Sequence, residues 1–443
     1  MVISHLVRLR QSIETLQLES NRIPTLGDAS VALSPIGTAC SLSCGSRPKN
    51  LISAPKVRVI MRKRNLSLIV ALAATILSTF SARSQSADSL AFQRAEHLRR
   101  GINTSDWFSQ SPSDYSVQRL QTFTTADDIR LIRRLGFDHI RLSVDAEPLL
   151  AWQQSRPNGL AFMSELDAIV KVALEQKLAV IIDLHPESRY KQTLLQGTEP
   201  VERFAKLWQS IAGHFAPLDP ELVFFEIMNE PEQQDTYRWQ GIEAYVAEQI
   251  REVAPNNTII VAGAKWSGLD DLMLMEPLAV ANVIYTFHDY EPFAFTHQGA
   301  TWTDPAVQPL RDVPYPSTPE NVAKNVQQEK TLSGQWFVEQ YGLARWDAQR
   351  VDDSLSFAEQ WSQMHHSPVY VGEFGVHRPY VDSTARARWL KDMRVAMEKH
   401  HLGWAMWDYQ DNFGAVTKKD GKTIVDQSVI EALGLSGDAA PLP

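Results

Sequence analysis

Polar side chains stand at the ends of several apolar segments of this sequence, where a run of Val, Ile, Leu or Phe would otherwise continue. At or after segment ends stand Asp183, His185, Asn229, Glu230, His288, Tyr290 and Glu373, with Arg141 inside the second segment and the aromatic Trp407 at the end of the eighth. A single polar residue at a strand end is ordinary, because strands commonly stop at turn residues. In a barrel of parallel strands, however, all such ends lie on one face. Their recurrence therefore predicts one shared polar site.

Two of these residues are carboxylates, Glu230 in "MNEP" and Glu373 in "VGEFG". A facing pair of carboxylates suits cleavage of a glycosidic bond, in which one group protonates the leaving oxygen. The other group attacks the anomeric carbon or activates a water. The environment must push the two pKa values apart. We expect Arg141 to keep Glu373 charged and desolvation to favour the neutral form of Glu230.

Eight short apolar segments that alternate with helical patterns would position this site. The predicted strands cover residues 97–103, 139–144, 178–184, 222–228, 258–263, 282–287, 368–374 and 402–407. Continuous apolar runs of this kind are typical of parallel strands buried on both faces. They predict an α/β fold with a single (β/α)8 TIM barrel. A doubly wound sheet is the alternative, although no Gly-rich phosphate loop follows any of the predicted strands.

Residues 289–353 interrupt this alternation after the sixth predicted strand. Six prolines fall within this segment, and so do Phe293, Phe295, Trp302 and Tyr315. We predict a long loop insertion that folds over the barrel mouth, because long loops in compact domains are usually functional. Aromatic residues at or beside the predicted mouth that could stack on sugar rings are Trp107, Trp266, Phe293 and Trp302, although each could equally belong to the core.

The motifs resemble those of glycoside hydrolase family 5, the cellulase-like group of retaining (β/α)8 glycosidases. The resemblance runs from about residue 97 to residue 415. It rests on "HIRLSV", "DLH", "MNEP", "FHDYEPF", "VGEFG" and "WAMWDY", which occur in the family's order. It implies that Glu230 is the catalytic acid/base and that Glu373 is the nucleophile.

The same resemblance implies roles for six supporting residues. Arg141 and Tyr290 would hold and polarise the nucleophile, and Asn229 would hydrogen-bond the 2-hydroxyl of the sugar under attack. His185 and His288 would line the same subsite and tune the acid/base, and Trp407 would form a stacking floor. No metal and no cofactor is expected in this chemistry.

The favoured function is a retaining endo-β-1,4-glucanase that acts on a polysaccharide or oligosaccharide. A β-mannanase or an exo-acting β-glucosidase of the same family is an alternative, because fold alone does not define function. A non-catalytic polysaccharide-binding protein is an alternative of another class. Such a protein would keep its tryptophans but lose at least one of the two catalytic carboxylates, and both are present.

Composition and charge limit the classes of partner that the protein could bind. Of the 443 residues, 44% are apolar, and both cysteines, Cys40 and Cys44, precede the predicted barrel. From residue 83 onwards the chain holds 33 Lys/Arg against 49 Asp/Glu, a net charge of −16. Such an acidic body argues against nucleic acids and anionic membrane surfaces as partners.

Residues 61–87 read as a secretory signal peptide, with a basic start at Arg62–Arg64 and an apolar run from Leu66 to Leu77. Such a run is too short to span a bilayer comfortably, so we expect cleavage and no stable membrane insertion afterwards. Because a signal should begin a protein, we expect translation to start at Met61 and residues 1–60 to be a mis-assigned upstream stretch, with a genuine disordered extension as the alternative. Residues 88–443 are expected to form the catalytic domain. The expected location is secreted or periplasmic.

Overall fold

The computed structural model describes residues 90–111 and 113–436, and they form the predicted closed barrel. Every neighbouring pair of barrel strands is parallel, and β1 pairs with β8 to close the sheet. The strands are β1 (Arg100–Phe108), β2 (His139–Val144), β3 (Ala179–Leu184), β4 (Val223–Glu226), β5 (Thr258–Ala262), β6 (Val283–His288), β7 (Val369–Phe374) and β8 (Gly403–Met406). The expected extension at 1–60 and signal at 61–87 lie outside the described residues.

Helices follow the strands and surround the barrel. They are α1 (Val117–Thr122), α2 (Ala126–Leu135), α3 (Ala146–Gln153), α4 (Pro157–Glu175), α5 (Ser188–Thr193), α6 (Thr198–Phe215), α7 (Thr236–Val253), α8 (Leu269–Leu272), α9 (Phe293–Thr296), α10 (Pro319–Gln328), α11 (Leu332–Ala344), α12 (Ala348–His365), α13 (Ser383–Lys399) and α14 (Gln427–Ala432). Local sequence sets their ends. Helix α2, for example, begins in a capping box between Thr125 and Asp128 and ends at Gly136, whose φ of 101° suits glycine. No helix within residues 90–111 and 113–436 is long and apolar enough to cross a membrane.

The barrel interior changes from apolar to charged towards the carboxyl ends of the strands. Ile181 and Phe224 are register partners in the buried inner cluster. Two residues further along the same strands, Asp183 and Glu226 are register partners and fully buried. Residues two apart on a strand face the same side. The barrel interior therefore has an apolar layer at the level of Ile181 and Phe224 and a layer of buried charge nearer the carboxyl ends of the strands.

The segment after β6 is more regular than the long loop predicted for residues 289–353. It is irregular as far as Thr318, apart from the short α9, and then forms α10, α11 and the start of α12. Thr318 caps α10, and Pro319 occupies its first turn. A proline is favoured there, because the amide that it lacks has no partner within the helix.

Two further elements differ from the sequence prediction. Strand β1 runs from Arg100 to Phe108, beyond the predicted end at residue 103, because the polar residues Asn103, Thr104 and Ser105 are buried and hydrogen-bonded rather than in a turn. Thr104 Oγ1, for example, donates to the carbonyl of Arg141. An antiparallel hairpin of β9 (Val416–Lys419) and β10 (Lys422–Val425) follows β8 and was not predicted.

Candidate active site

The carboxyl ends of the strands bring the predicted site residues together. The loop after β4 is fixed at several points around Glu230. The Asn229 amide donates to the Leu184 carbonyl at 2.8 Å, and the Trp266 amide donates to the Pro231 carbonyl at 3.0 Å. Glu230 itself has a φ of 41°. This left-handed conformation is uncommon for a residue with a side chain, and it persists only where the surroundings enforce it.

Glu373 is held by two donors. Arg141 Nη1 lies 2.7 Å from its Oε1, and the Tyr290 hydroxyl donates to its Oε2 at 2.8 Å. Its side chain is only 5% exposed. Hydrogen bonds from a cation and a hydroxyl favour the charged form of a carboxylate. The predicted contacts of Arg141 and Tyr290 with Glu373 are therefore present.

Arg141 is fully buried and has a second, bidentate partner that the sequence interpretation missed. Its Nε and Nη2 donate to the two oxygens of Glu226 at 2.8 and 2.7 Å. Its Nη1 also donates to Asn103 Oδ1 at 2.9 Å. The signal for Glu226 was available, because it is a carboxylate inside the apolar run "VFFEIM". A charge in such a run must be paired.

Glu230 is more open than Glu373, with a side chain that is 28% exposed. His288 Nδ1 lies 2.9 Å from Glu230 Oε1 and 3.5 Å from Glu373 Oε2, so one imidazole lies between the two carboxylates. One carboxylate oxygen of Glu230 and one of Glu373 lie within 4.8 Å of each other. Retaining glycosidases hold their carboxyl groups about 5–5.5 Å apart, whereas inverting enzymes need roughly 6.5–9.5 Å.

His185, Asn229 and Trp407 form the neighbouring part of the site. His185 Nδ1 lies 2.9 Å from Asp183 Oδ2, and the Asn229 side-chain amide donates to His185 Nε2 at 3.0 Å. Because Nε2 accepts, the ring proton lies on Nδ1. The His185 ring stacks on Trp407 with centroids 5.8 Å apart and planes 23° apart. His185 thus contacts Asn229 and Trp407, while His288 is the histidine that contacts Glu230.

Burial raises the pKa of both carboxyl groups. For Glu230, the nearby Lys191, His185 and Arg141 act in the opposite direction. For Glu373, His288 and Arg141 oppose burial, but the negative charge of Glu230 adds to it. The expectation that Arg141 alone keeps Glu373 ionised is thus too simple, because burial outweighs it. Glu373 is still the better stabilised anion of the pair, since Arg141 and Tyr290 both donate to it, whereas within the described part of the chain the Glu230 carboxylate has His288 as its one hydrogen-bond partner.

The two histidines next to these carboxylates are uncharged at neutral pH. Burial lowers the pKa of His288 to about 4, against the attraction of Glu373. Burial and the Arg141 charge lower the pKa of His185 well below its usual value. Both rings therefore act as neutral hydrogen-bonding groups in the range where glycosidic bonds would be cleaved.

One set of side chains in the described part of the chain could converge on a metal ion, namely Glu230, His288 and Glu373. The same three side chains make the carboxylate–imidazole contacts described above. Each of the three side chains thus has a partner within this set, because His288 lies between the two carboxylates.

The four aromatic residues that were predicted to stack on sugar rings differ in their exposure to solvent. Trp107 is fully buried, and its Nε1 donates to the Leu120 carbonyl at 2.7 Å, so the prediction that it could stack on substrate is wrong. Trp266 and Trp302 are 45% and 59% exposed. Phe293 is half-buried and stacks on His297 with centroids 4.0 Å apart.

Trp302 lies against loops that border the site. Its ring meets His377, in the loop after β7, edge-on at 5.0 Å, and it packs near Phe413, in the loop after β8. Phe413 in turn contacts Tyr290, the residue that holds Glu373. The His377 amide donates to the Thr296 carbonyl at 2.8 Å. This part of the segment after β6 therefore lies on the same side of the barrel as the carboxylates.

A closed (β/α)8 barrel that carries two carboxylates this close at its strand ends has the geometry of a retaining glycoside hydrolase. The chain belongs to glycosyl hydrolase family 5, since the family's cellulase model matches residues 99–413. It is therefore a glycoside hydrolase of a retaining family, as the sequence predicts.

Several characterised proteins are similar to this chain. Endoglucanase C of Acetivibrio thermocellus is 26% identical over 342 residues, which cover 75% of this chain and 97% of that protein. Cellodextrinase A of Ruminococcus flavefaciens is 28% identical over 319 residues, or 70% of this chain and 84% of that protein. The structure of Thermotoga maritima Cel5A with mannotriose has a TM-score of 0.60 and 25% identity, covering 77% of this chain and 99% of that one.

Proposed function

We propose that the protein is an endo-acting β-1,4-glucanase in which Glu373 is the nucleophile and Glu230 the acid/base. The observation that carries the division of roles is the difference between the two carboxylates. Glu373 is buried and held by Arg141 and Tyr290, whereas Glu230 is partly open and, among the described residues, its side chain is hydrogen-bonded to the neutral His288 alone. The glucan specificity is supported by the endoglucanase and the cellodextrinase among the relatives.

In the first step, a Glu373 oxygen forms a bond to the anomeric carbon while the bond to the leaving oxygen breaks. Glu230 transfers its proton to that oxygen and becomes a carboxylate. In the second step, Glu230 takes a proton from water, and the resulting hydroxyl attacks the anomeric carbon and releases Glu373. Two inversions at one carbon give net retention. The partial exposure of Glu230 allows water to reach it between the steps.

The supporting residues orient the reacting groups. Arg141 and Tyr290 keep the Glu373 carboxylate in one orientation, which prepares it for attack. Asn229 has a second amide hydrogen beyond the one given to His185, and this hydrogen is available to the sugar 2-hydroxyl. Trp407, stacked on His185, provides a flat apolar face for the pyranose ring.

We also propose that residues 289–318 border the substrate cleft and that the protein is exported. Trp302 supports the first proposal, because it is exposed beside the loops after β7 and β8. The basic and apolar pattern at residues 61–87 supports the second. N-terminal sequencing of the exported protein should give a start between residues 82 and 88, and a mature chain that retains Cys40 would contradict export by this signal.

A β-mannan is a second candidate substrate, because the similar Cel5A has been solved with mannotriose. Product analysis on soluble cellulose, cello-oligosaccharides, mixed-linkage glucan, xylan and mannan distinguishes the two. We expect fast loss of viscosity on soluble cellulose with few reducing ends formed, and Glu373→Ala as an inactive control. Preference for mannan would overturn the glucanase specificity, and no cleavage of any β-glycan would overturn the proposal as a whole.

A further inference from the structure

A buried lysine that the mechanism does not use lies beside the acid/base loop. Lys191, on α5, is only 5% exposed. Its Nζ lies 3.6 Å from Glu232 Oε1, and the Ser188 hydroxyl donates to the same oxygen at 2.5 Å. Gln233 Nε2 donates to the Lys191 carbonyl at 3.3 Å. The helix after β3 is thus tied to the two residues that follow "NEP".

The position of this lysine costs free energy, because a buried ammonium loses its hydration and must recover it through a partner. Glu232 is that partner, yet at 3.6 Å the pair is loose. Glu232 is itself only two residues from Glu230. The side chains of Lys191 and Glu232 are 7% and 16% exposed, so the pair places two opposite, mostly buried charges beside the loop that carries Glu230, where they are screened less than at the surface.

The groups that face Glu230 come from five other elements and from its own loop. They are Arg141 on β2, His185 after β3, Lys191 on α5, Glu232 on the same loop, His288 on β6, Tyr290 after β6 and Glu373 on β7. Burial lowers the pKa of His288 to about 4 and that of His185 well below its usual value, so both rings are neutral at neutral pH. After burial, which raises the pKa of Glu230, the Lys191 charge has the largest influence and lowers it, and Glu232 raises it.

We propose that Lys191 and Glu232 are a pair of positioning residues that fix the pH at which the acid/base Glu230 loses its proton. The inference rests on the proposed role of Glu230. Without Lys191, Glu230 would hold its proton to higher pH. Without Glu232, the unopposed lysine would draw the proton off at lower pH.

The test compares the pH dependence of kcat/KM for Lys191→Met and Glu232→Gln, both close in shape to the native residues. The substrate is a cello-oligosaccharide, whose poor leaving group requires the acid. The pH at which kcat/KM falls on the alkaline side should rise for Lys191→Met and fall for Glu232→Gln, each by on the order of half a pH unit. The acidic limb should move less than the alkaline limb. The profile therefore widens in one variant and narrows in the other.

Two controls separate this role from a structural one. Lys191→Arg keeps the charge and should keep the wild-type alkaline limb. On dinitrophenyl cellobioside, whose leaving group needs no proton, the opposite shifts should disappear from kcat/KM. Alkaline limbs that stay at the wild-type pH, or that move in the same direction, would overturn the proposal. If Lys191→Met does not fold, Glu232→Gln alone decides by the direction of its shift.

Failure of the proposed function would look different from failure of this inference. It would appear in the wild-type enzyme as no hydrolysis of any β-glycan. It would also appear in Glu230→Ala, as undiminished activity on the cello-oligosaccharide. Neither result depends on Lys191 or Glu232.

Discussion

Arg141 Nη1 lies 2.7 Å from Glu373 Oε1, and the same guanidinium binds both oxygens of the buried Glu226. One cation is therefore shared between a structural carboxylate and the proposed nucleophile. The bidentate bond to Glu226 fixes the plane of the guanidinium, and that plane directs Nη1 at Glu373. Stability and catalysis are coupled at this residue.

Arg141→Lys should damage both properties. A lysine keeps the charge but cannot bind Glu226 in the bidentate manner while also reaching Asn103 and Glu373. We expect the free energy of unfolding to fall by at least about 2 kcal/mol, with a lower kcat. Urea unfolding measures the first and steady-state kinetics the second. The matched control is Arg130→Lys, whose partly exposed pair with Asp127 should be worth less than about 1 kcal/mol. Equal small losses in the two variants would contradict the shared role of Arg141.

Two tryptophans should respond in opposite ways to the same substitution. Trp302→Ala should raise KM for soluble cellulose by roughly three- to tenfold, because an exposed ring is lost beside the cleft. Its melting temperature should change little. Trp107→Ala should instead lose about 3–5 kcal/mol of stability, because it empties a fully buried site. A destabilised Trp302→Ala with unchanged KM would refute the assignment of Trp302 to the cleft.

Asp289 should make the protein less stable as pH rises. Burial raises its pKa to about 7, and its carboxylate accepts one bond from the Glu291 amide. The unfolded chain releases this proton near pH 3.8. Between these values the folded state binds more protons, so unfolding becomes easier with rising pH.

Asp289→Asn removes this titration. Its stability relative to wild type should be higher at pH 8 than at pH 5, by up to about 3 kcal/mol. Urea unfolding at the two pH values measures the difference. Asp420→Asn, at the exposed turn of the β9–β10 hairpin, is the control and should show no such change. A relative stability of Asp289→Asn that falls with pH would reverse the sign and contradict the account.

Strand positions and site residues could be predicted from the sequence because they leave the same local signal. Buried parallel strands are mostly apolar, so a charged residue inside "HIRLSV" or near the end of "VYVGEF" stands out. Seven of the eight predicted site residues occur at or just after the carboxyl ends of strands, where such barrels carry their sites, and Arg141 lies in the middle of β2. The predicted contacts of Arg141, Tyr290 and His288 with the two carboxylates follow from that common face.

The features that were missed depend on tertiary partners. Asn103 lies within β1 and Glu226 is the last residue of β4, and only the barrel brings both side chains to Arg141. Trp107 could not be recognised as core, because its partner is the Leu120 carbonyl in the next helix. The prolines after β6 suggested a loop, although Pro319 begins a helix. The β9–β10 hairpin had a usable signal, the Asp420–Gly421 turn.

The division of roles between Glu230 and Glu373 makes opposite predictions for their alanine variants. Glu373→Ala lacks the attacking group, so no glycosyl-enzyme forms. Glu230→Ala still forms the glycosyl-enzyme from substrates with good leaving groups, but turnover then stalls because no base activates water. Azide can act as the nucleophile in both variants, although on opposite faces of the sugar.

The configuration of the azide product therefore tests the central claim most directly. Each variant is incubated with an activated aryl cellobioside and azide, and the glycosyl azide is assigned by proton NMR. We predict the inverted α-azide from Glu373→Ala and the retained β-azide from Glu230→Ala. The reverse pattern would contradict the assignment of the two roles.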